Sequence, residues 1–308
     1  MADYLERAYR ILNESRDSAL DAARKVRERL NEDPLFASLE SECRKLAFEK
    51  ARLASQNRDI STLNAKYEEL SARRAKRMEE LGYSAADLKP KFSCELCGDT
   101  GKANGKDCVC LKKIVYAVLS EGQDIPCGEE GFLTRPRLDV LTADARDAYK
   151  KLYALLNRYA LSFPEVKKIY TLTGAVGVGK SYAAGAVSHA LMRRGFSVLF
   201  LNAVRLNEIF LEYHLAPLHL KQSVFAPLTE ADLLVVDDLG AEPLLNNVTV
   251  NYLYSLLSER TKPVMITTNL DAEALKARYT DRIFSRLLDK KNSKIINVAG
   301  SDLRLKER

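Results

Sequence analysis

Gly174-Ala-Val-Gly177-Val178-Gly179-Lys180-Ser181 fits the phosphate-loop pattern G-x-x-x-x-G-K-[ST]. Such a match carries weight when a strand precedes it and a helix follows. Both are predicted: the run Lys168–Thr173 reads as a buried strand, and a helix starts at Lys180. Glycines let the loop curl so that successive N–H groups and the helix N-terminus face phosphates. Lys180 then supplies the cation for the β and γ phosphates, Ser181 is a ligand for Mg²⁺, and Val178 and Tyr182 flank bound ATP.

Downstream, unbroken apolar runs mark further strands at Ser197–Asn202, Asp232–Asp237, Val264–Thr268 and Lys294–Val298. Runs of this kind are expected of parallel strands buried on both faces. The strand over 232–237 ends in two acids. Asp237 is placed to hold the Mg²⁺ shell, and Asp238 to orient or deprotonate the attacking water. An aspartate reaches less far than a glutamate, so slow hydrolysis is expected; the pair also suits a plain cap on the Leu239-Gly240 turn. Asn269 follows the strand over 264–268, either as a polar group between the two acids or as a cap before Leu270-Asp271. Arg282 and Arg286 stand four apart on one helix face, either salt-bridged at the surface or offered to a neighbouring subunit's γ-phosphate.

Ahead of this α/β part the composition changes twice. Met1–Leu81 contains no glycine and one proline, Pro34, and is rich in Ala, Leu, Glu, Lys and Arg. It reads as an antiparallel pair of long helices, with a turn at Asn31–Pro34 and an end at Gly82. Narrow stripes such as Ile60, Leu63, Tyr67 and Leu70 suit a self-contained coiled-coil hairpin or a docking arm for a partner. Residues 92–127 then hold five of the six cysteines. Cys94-x-x-Cys97 and Cys108-x-Cys110, spaced by glycine turns, offer four thiolates for a structural zinc ion. Reduced thiols and an iron–sulfur cluster are the alternatives; Cys43 and Cys127 fall outside the set, and His189, His214 and His219 read as ordinary helix or loop residues. The expected division is 1–83 helical, 84–130 cysteine module and linker, and 131–308 nucleotide-binding.

The chain has 308 residues, 46% hydrophobic and 29% charged, with net charge +6. Its basic excess lies late: residues 271–308 carry 10 Lys/Arg against 6 Asp/Glu, whereas residues 1–90 carry 18 against 17. That permits binding to a polyanion without establishing it. The absence of a long apolar run predicts no membrane contact, and the acidic opening MADYLERAYR predicts a cytoplasmic protein rather than a secreted one.

Taken in order, the phosphate loop, VVDDLGAE, the TTN strand end and DRIFSRL resemble the DnaC/DnaI-type loaders of the bacterial replicative helicase over roughly residues 130–308. The segment from Lys89 to Gly101 is similar to the zinc-binding linker of Gram-positive members. The resemblance implies an AAA+ parallel sheet with flanking helices and an ATPase that self-assembles through its ATP sites. It also implies contact with single-stranded DNA and with the hexameric helicase, and makes Arg282 the likelier finger, with Arg286 second. It points to Arg205–Tyr213, with the segment through Lys221, for DNA, and to Arg304 near a nucleotide. Only 22 residues follow Arg286 in this sequence, so no helical lid carrying a sensor arginine is expected. An IstB-like transposition helper and a nucleotide-gated adaptor with little hydrolysis are the competing readings.

Overall fold

Residues 3–56, 58–120, 125–126, 143–300 and 302–303 are described by a computed structural model. Cys127, Arg304 and the start of the nucleotide-binding part at 131–142 lie outside them. The chain divides into two compact units, Tyr9–Leu111 and Met1–Ala8 with Lys112–Arg308.

The first unit is built on three helices, α1 (Asp3–Asn31), α2 (Pro34–Ser55) and α3 (Ser61–Glu80). This corrects the expected two-helix hairpin. The break at Asn31–Pro34 exists, with Asp33 accepting from the Phe36 N–H at 2.8 Å as the cap of α2. A second break precedes Ser61, where Asp59 accepts from the Ser61 N–H at 2.9 Å. The antiparallel pair is α2 with α3, because Asp33 meets Arg77 at 2.6 Å while Glu40 meets Arg74 at 2.8 Å. Leu39, Cys43 and Leu70 close the contact between them. A short hairpin follows, β1 (Lys102–Ala103) and β2 (Lys106–Asp107), turning on Asn104-Gly105 with both residues at positive φ. Asn-Gly is the pair that a two-residue hairpin turn favours. The helix α4 (Val109–Leu119) leads out.

In the second unit α5 (Ala143–Ser162) precedes β3 (Ile169–Thr173), α6 (Lys180–Arg193) and β4 (Val198–Asn202). Next come α7 (Ala203–Leu215), α8 (Leu218–Glu230), β5 (Leu233–Asp237), α9 (Thr249–Glu259), β6 (Val264–Thr268), α10 (Ala272–Leu288) and β7 (Ser293–Asn297). The strands form one parallel sheet in the order β4-β5-β6-β3-β7. This is a parallel sheet with flanking helices, as the resemblance implies, with strand ends within one residue of those read from the apolar runs. Four of the five strands are buried along their length, because helices cover both faces. Leu156, Leu172, Ala183, Val187, Phe200, Val235 and Met265 form the core on one side. Among the described residues no helix is long and apolar enough to cross a membrane.

The two central strands are fastened at their amino ends by one buried cation. Arg260, 1% exposed, donates to the Leu228 and Ala231 carbonyls at 2.6 Å each and to the Pro263 carbonyl at 3.0 Å. These carbonyls lie just before β5 and β6, so the guanidinium fixes the two strands against each other. Arg260→Met would leave the carbonyls buried without donors. It should lower the unfolding free energy by ~3 kcal/mol, read as a urea midpoint; an unchanged midpoint would contradict this role.

Candidate nucleotide site

The loop after β3 takes a shape that demands glycine. Gly174, Gly177 and Gly179 have φ of 147°, 79° and 83°. A Cβ at Gly174 would lie 2.4 Å from the Val298 carbonyl oxygen, and one at Gly177 would run into the Asp302 carboxylate. The Tyr149 hydroxyl donates to the Val178 carbonyl at 2.7 Å, and the Leu303 N–H donates to the Gly177 carbonyl at 3.0 Å. Core packing and the segment after β7 thus hold the loop from two sides. Lys180 opens α6, is 8% exposed, and sets its Nζ 2.8 Å from the Gly174 and 2.7 Å from the Ala175 carbonyl oxygens. Its charge is stored on the loop that it would serve. Val178 is fully buried, and Tyr182 packs against the core.

The sheet brings the acids to this loop. Parallel strands present their carboxyl ends on one edge, where ligands of α/β sheets bind. Asp237 ends β5, and its carboxylate accepts from the Thr267 hydroxyl at 2.6 Å and from the Ser181 hydroxyl. Burial pushes its carboxyl above the ordinary value; the two hydroxyls oppose that shift, and the neighbouring Asp238 charge adds to it. Thr267 also accepts from the Asp238 N–H at 2.8 Å. Asp238 is exposed, with φ of 56°. Ser181 and Asp237 therefore meet as a hydroxyl–carboxylate pair of the kind that holds Mg²⁺ in phosphate-loop proteins.

Other predicted residues land differently. Asn269, expected between the acids, is exposed beyond β6 and lines a cavity of about 370 Å³ beside Thr173, Gly174 and Ala175. The contact with the acids belongs to Thr267, buried and two residues earlier. Sequence reading passed over it, although its place at the carboxyl end of a central strand was a signal. Arg282 is exposed on α10. Arg286 is half-buried, with its guanidinium 5.0 Å from the centre of the Tyr254 ring and donating to that hydroxyl at 3.4 Å. In the segment assigned to DNA, Arg205 pairs with Glu208 at 2.9 Å, while Leu215 and Leu218 at the α7–α8 turn are exposed and Lys221 lies over the Tyr213 ring. His214 meets the Tyr252 hydroxyl at 2.9 Å.

In the other unit the four cysteines converge. All the sulfurs of Cys94, Cys97, Cys108 and Cys110 lie within 4.8 Å of one another, with 3.7 Å between Cys94 and Cys108 and 3.4 Å between Cys97 and Cys110. Zinc–sulfur bonds of about 2.3 Å in a tetrahedron place sulfurs ~3.8 Å apart, so the cluster fits zinc. Buried Asp99 braces it by accepting from the Ser93 and Cys94 N–H groups at 2.9 and 2.7 Å.

A family model described as IstB-like ATP binding protein matches residues 142–308. The chain belongs to that family. Among curated relatives of this IstB-like chain, the replicative helicase loader DnaC of Buchnera aphidicola (subsp. Acyrthosiphon pisum) is 24% identical over 144 residues, covering 46% of this chain and 58% of that one. The Escherichia coli K12 loader DnaC is 24% identical over 120 residues, covering 38% and 49%. The match thus spans about half the length of these relatives. Among solved structures, that of DnaI is 23% identical with TM-score 0.43, covering 57% of this chain and 92% of its own. That of the DnaC helicase loader is 20% identical with TM-score 0.42, covering 49% and 90%. The family match and the curated relatives agree with the resemblance read from the motifs, and make residues 142–308 an ATP-binding domain.

Thr267→Val would strip a donor from the half-buried Asp237 carboxylate while keeping the side-chain volume. Mg·ATP binding should weaken by ~10- to 100-fold, the usual cost of losing a group that orients a metal ligand. Titration with a fluorescent ATP analogue reads this, and an unchanged Kd would remove Thr267 from the site.

Proposed function

We propose that this IstB-family chain is an ATPase that loads the replicative DNA helicase. The observation that carries the proposal is the meeting of Lys180, Ser181, Asp237 and Thr267 at one sheet edge in a chain that also gathers four cysteines into a metal-sized cluster. The relatives named as helicase loaders support the same reading.

In this reading the loop N–H groups and Lys180 bind the ATP phosphates, and Ser181 and Asp237 hold Mg²⁺, which neutralises phosphate charge. Asp238 orients water, at a slow rate set by its short side chain. Asn269 stands at the loop's rim, where it can meet the nucleotide. Arg282 is the finger supplied to a neighbouring subunit: its exposure supports that role, while Arg286 is engaged with Tyr254. Cys94, Cys97, Cys108 and Cys110 hold a zinc ion that replaces a core in a segment too small to build one. The division into 1–83, 84–130 and 131–308 assigns the helicase to the helices, the metal to the middle, and ATP and single-stranded DNA to the last part. The cytoplasm is where these partners meet.

The test is co-purification of the full chain with a replicative helicase, with and without ATP, alongside phosphate release with and without single-stranded DNA. The loader reading expects ATP-dependent helicase capture and DNA-stimulated release. Binding to double-stranded DNA without helicase capture would favour a transposition helper, and assembly on ATP without release a nucleotide-gated adaptor.

Two variants check the sites themselves. Lys180→Ala should abolish ATP binding, since the loop loses its cation while the core stays intact; retained wild-type affinity would contradict the site. Replacing Cys94 and Cys97 with Ser should release ~1 zinc per chain, read by elemental analysis of protein purified under reducing conditions. Wild-type protein that carries no zinc would end that assignment.

A further inference from the structure

Glu242 closes the turn that follows the two acids and is almost wholly buried. One carboxylate oxygen accepts from the Gly240 N–H at 2.9 Å, two residues beyond Asp238. The other accepts from the hydroxyl of Tyr279, a fully buried residue of α10. Arg278 donates to the Glu242 carbonyl and keeps its guanidinium 3.8 Å from the same carboxylate. A buried carboxylate is tolerated only when its oxygens are met. All of these partners come from the acidic turn or from α10, so neither segment can move without breaking the set.

Immediately after Tyr279 the helix is interrupted. Thr280 has φ of 75° and ψ of 156°, a conformation that β-branched residues avoid and that persists only where the surroundings impose it. The half of α10 that carries Arg282 thus leaves the anchor at 278–279 in a direction set by that kink. Beyond the kink, Ile283 and Leu287 pack inward, leaving Arg282 facing out.

We propose that Glu242 is the positioning residue for Arg282. Through Tyr279 and Arg278 it registers the finger-bearing half of α10 against the acidic turn of the same chain. The acidic turn of one subunit thus fixes the arginine that the subunit presents to the next. This rests on the reading of Arg282 as a finger acting in trans.

The test separates donor from acceptor. Arg282→Ala protein, which keeps its own ATP site, is mixed in turn with three donors that cannot bind ATP: Lys180→Ala, Lys180→Ala/Tyr279→Phe and Lys180→Ala/Glu242→Gln. Co-assembly is verified by cross-linking, and turnover is measured against ATP concentration. Lys180→Ala should restore turnover. Both double variants should restore ~10- to 100-fold less kcat, the cost of a misplaced catalytic group, with the acceptor's KM unchanged because its own loop is intact. Glu242→Gln keeps an acceptor for Gly240 but removes the carboxylate charge that faces Arg278 and the Tyr279 hydroxyl, so it reads the ionic part of the link to α10 even if Tyr279→Phe disturbs the fold. Equal rescue by all three donors would overturn the proposal, as would a loss seen only in KM. Failure of Lys180→Ala itself to rescue would instead remove the finger assignment, and the proposal with it.

Discussion

The nucleotide corner depends on a one-residue offset between two parallel strands. β5 and β6 pair with Val236 opposite Ile266, which sets Asp237 level with Thr267. One threonine hydroxyl can then donate to the Asp237 carboxylate while accepting from the Asp238 N–H. A shift by one residue would turn that side chain to the other face of the sheet and leave a buried carboxylate short of a partner. Arg260 guards the offset from the opposite edge by capping the carbonyls that precede both strands. The loop after β3 completes the arrangement, since β6 lies between β3 and β5 and carries Thr267 toward the acids.

The same logic of satisfying buried polar groups runs outward from this corner. Thr268 donates to the Leu239 carbonyl at 2.6 Å, and the Leu239 N–H donates to the Thr267 carbonyl at 2.8 Å, so the acidic turn is tied to β6 on both sides. Gly240 suits this turn because its φ of 115° is one that L side chains rarely adopt. The cysteine unit solves a different problem. With Gly98, Asp99, Asn104 and Gly105 all at positive φ, the backbone between Cys94 and Cys108 is turns apart from the short β1–β2 hairpin. Four sulfurs drawn to metal-binding spacing stand where a larger domain would have apolar side chains.

Much of this was legible beforehand for physical reasons. Buried parallel strands are apolar along most of their length, so their ends were readable to within one residue. The phosphate loop was legible because few sequences other than a glycine-rich turn before a helix satisfy its backbone. Other features were not. The stretch between α2 and α3 contains neither glycine nor proline, and Asp59, which accepts from the Ser61 N–H, looks like any polar residue of a charged helix. Thr267 was passed over for Asn269 because the amide is the more conspicuous polar group, and only the strand register decides between them. Glu242 sits in the quoted VVDDLGAE stretch, yet its bond to Tyr279 joins residues 37 apart that no periodicity relates.

The central claim is that the three strand ends make a single Mg·ATP site, and a double-mutant cycle on Ser181→Ala and Asp237→Asn tests it most directly. Mg·ATP affinity is measured by calorimetry for the wild type, each single variant and the double variant. Groups sharing one ion should couple by ~1 kcal/mol or more, so that the double variant loses clearly less than the sum of the singles. Losses that simply add would show Ser181 and Asp237 acting independently and would contradict the account.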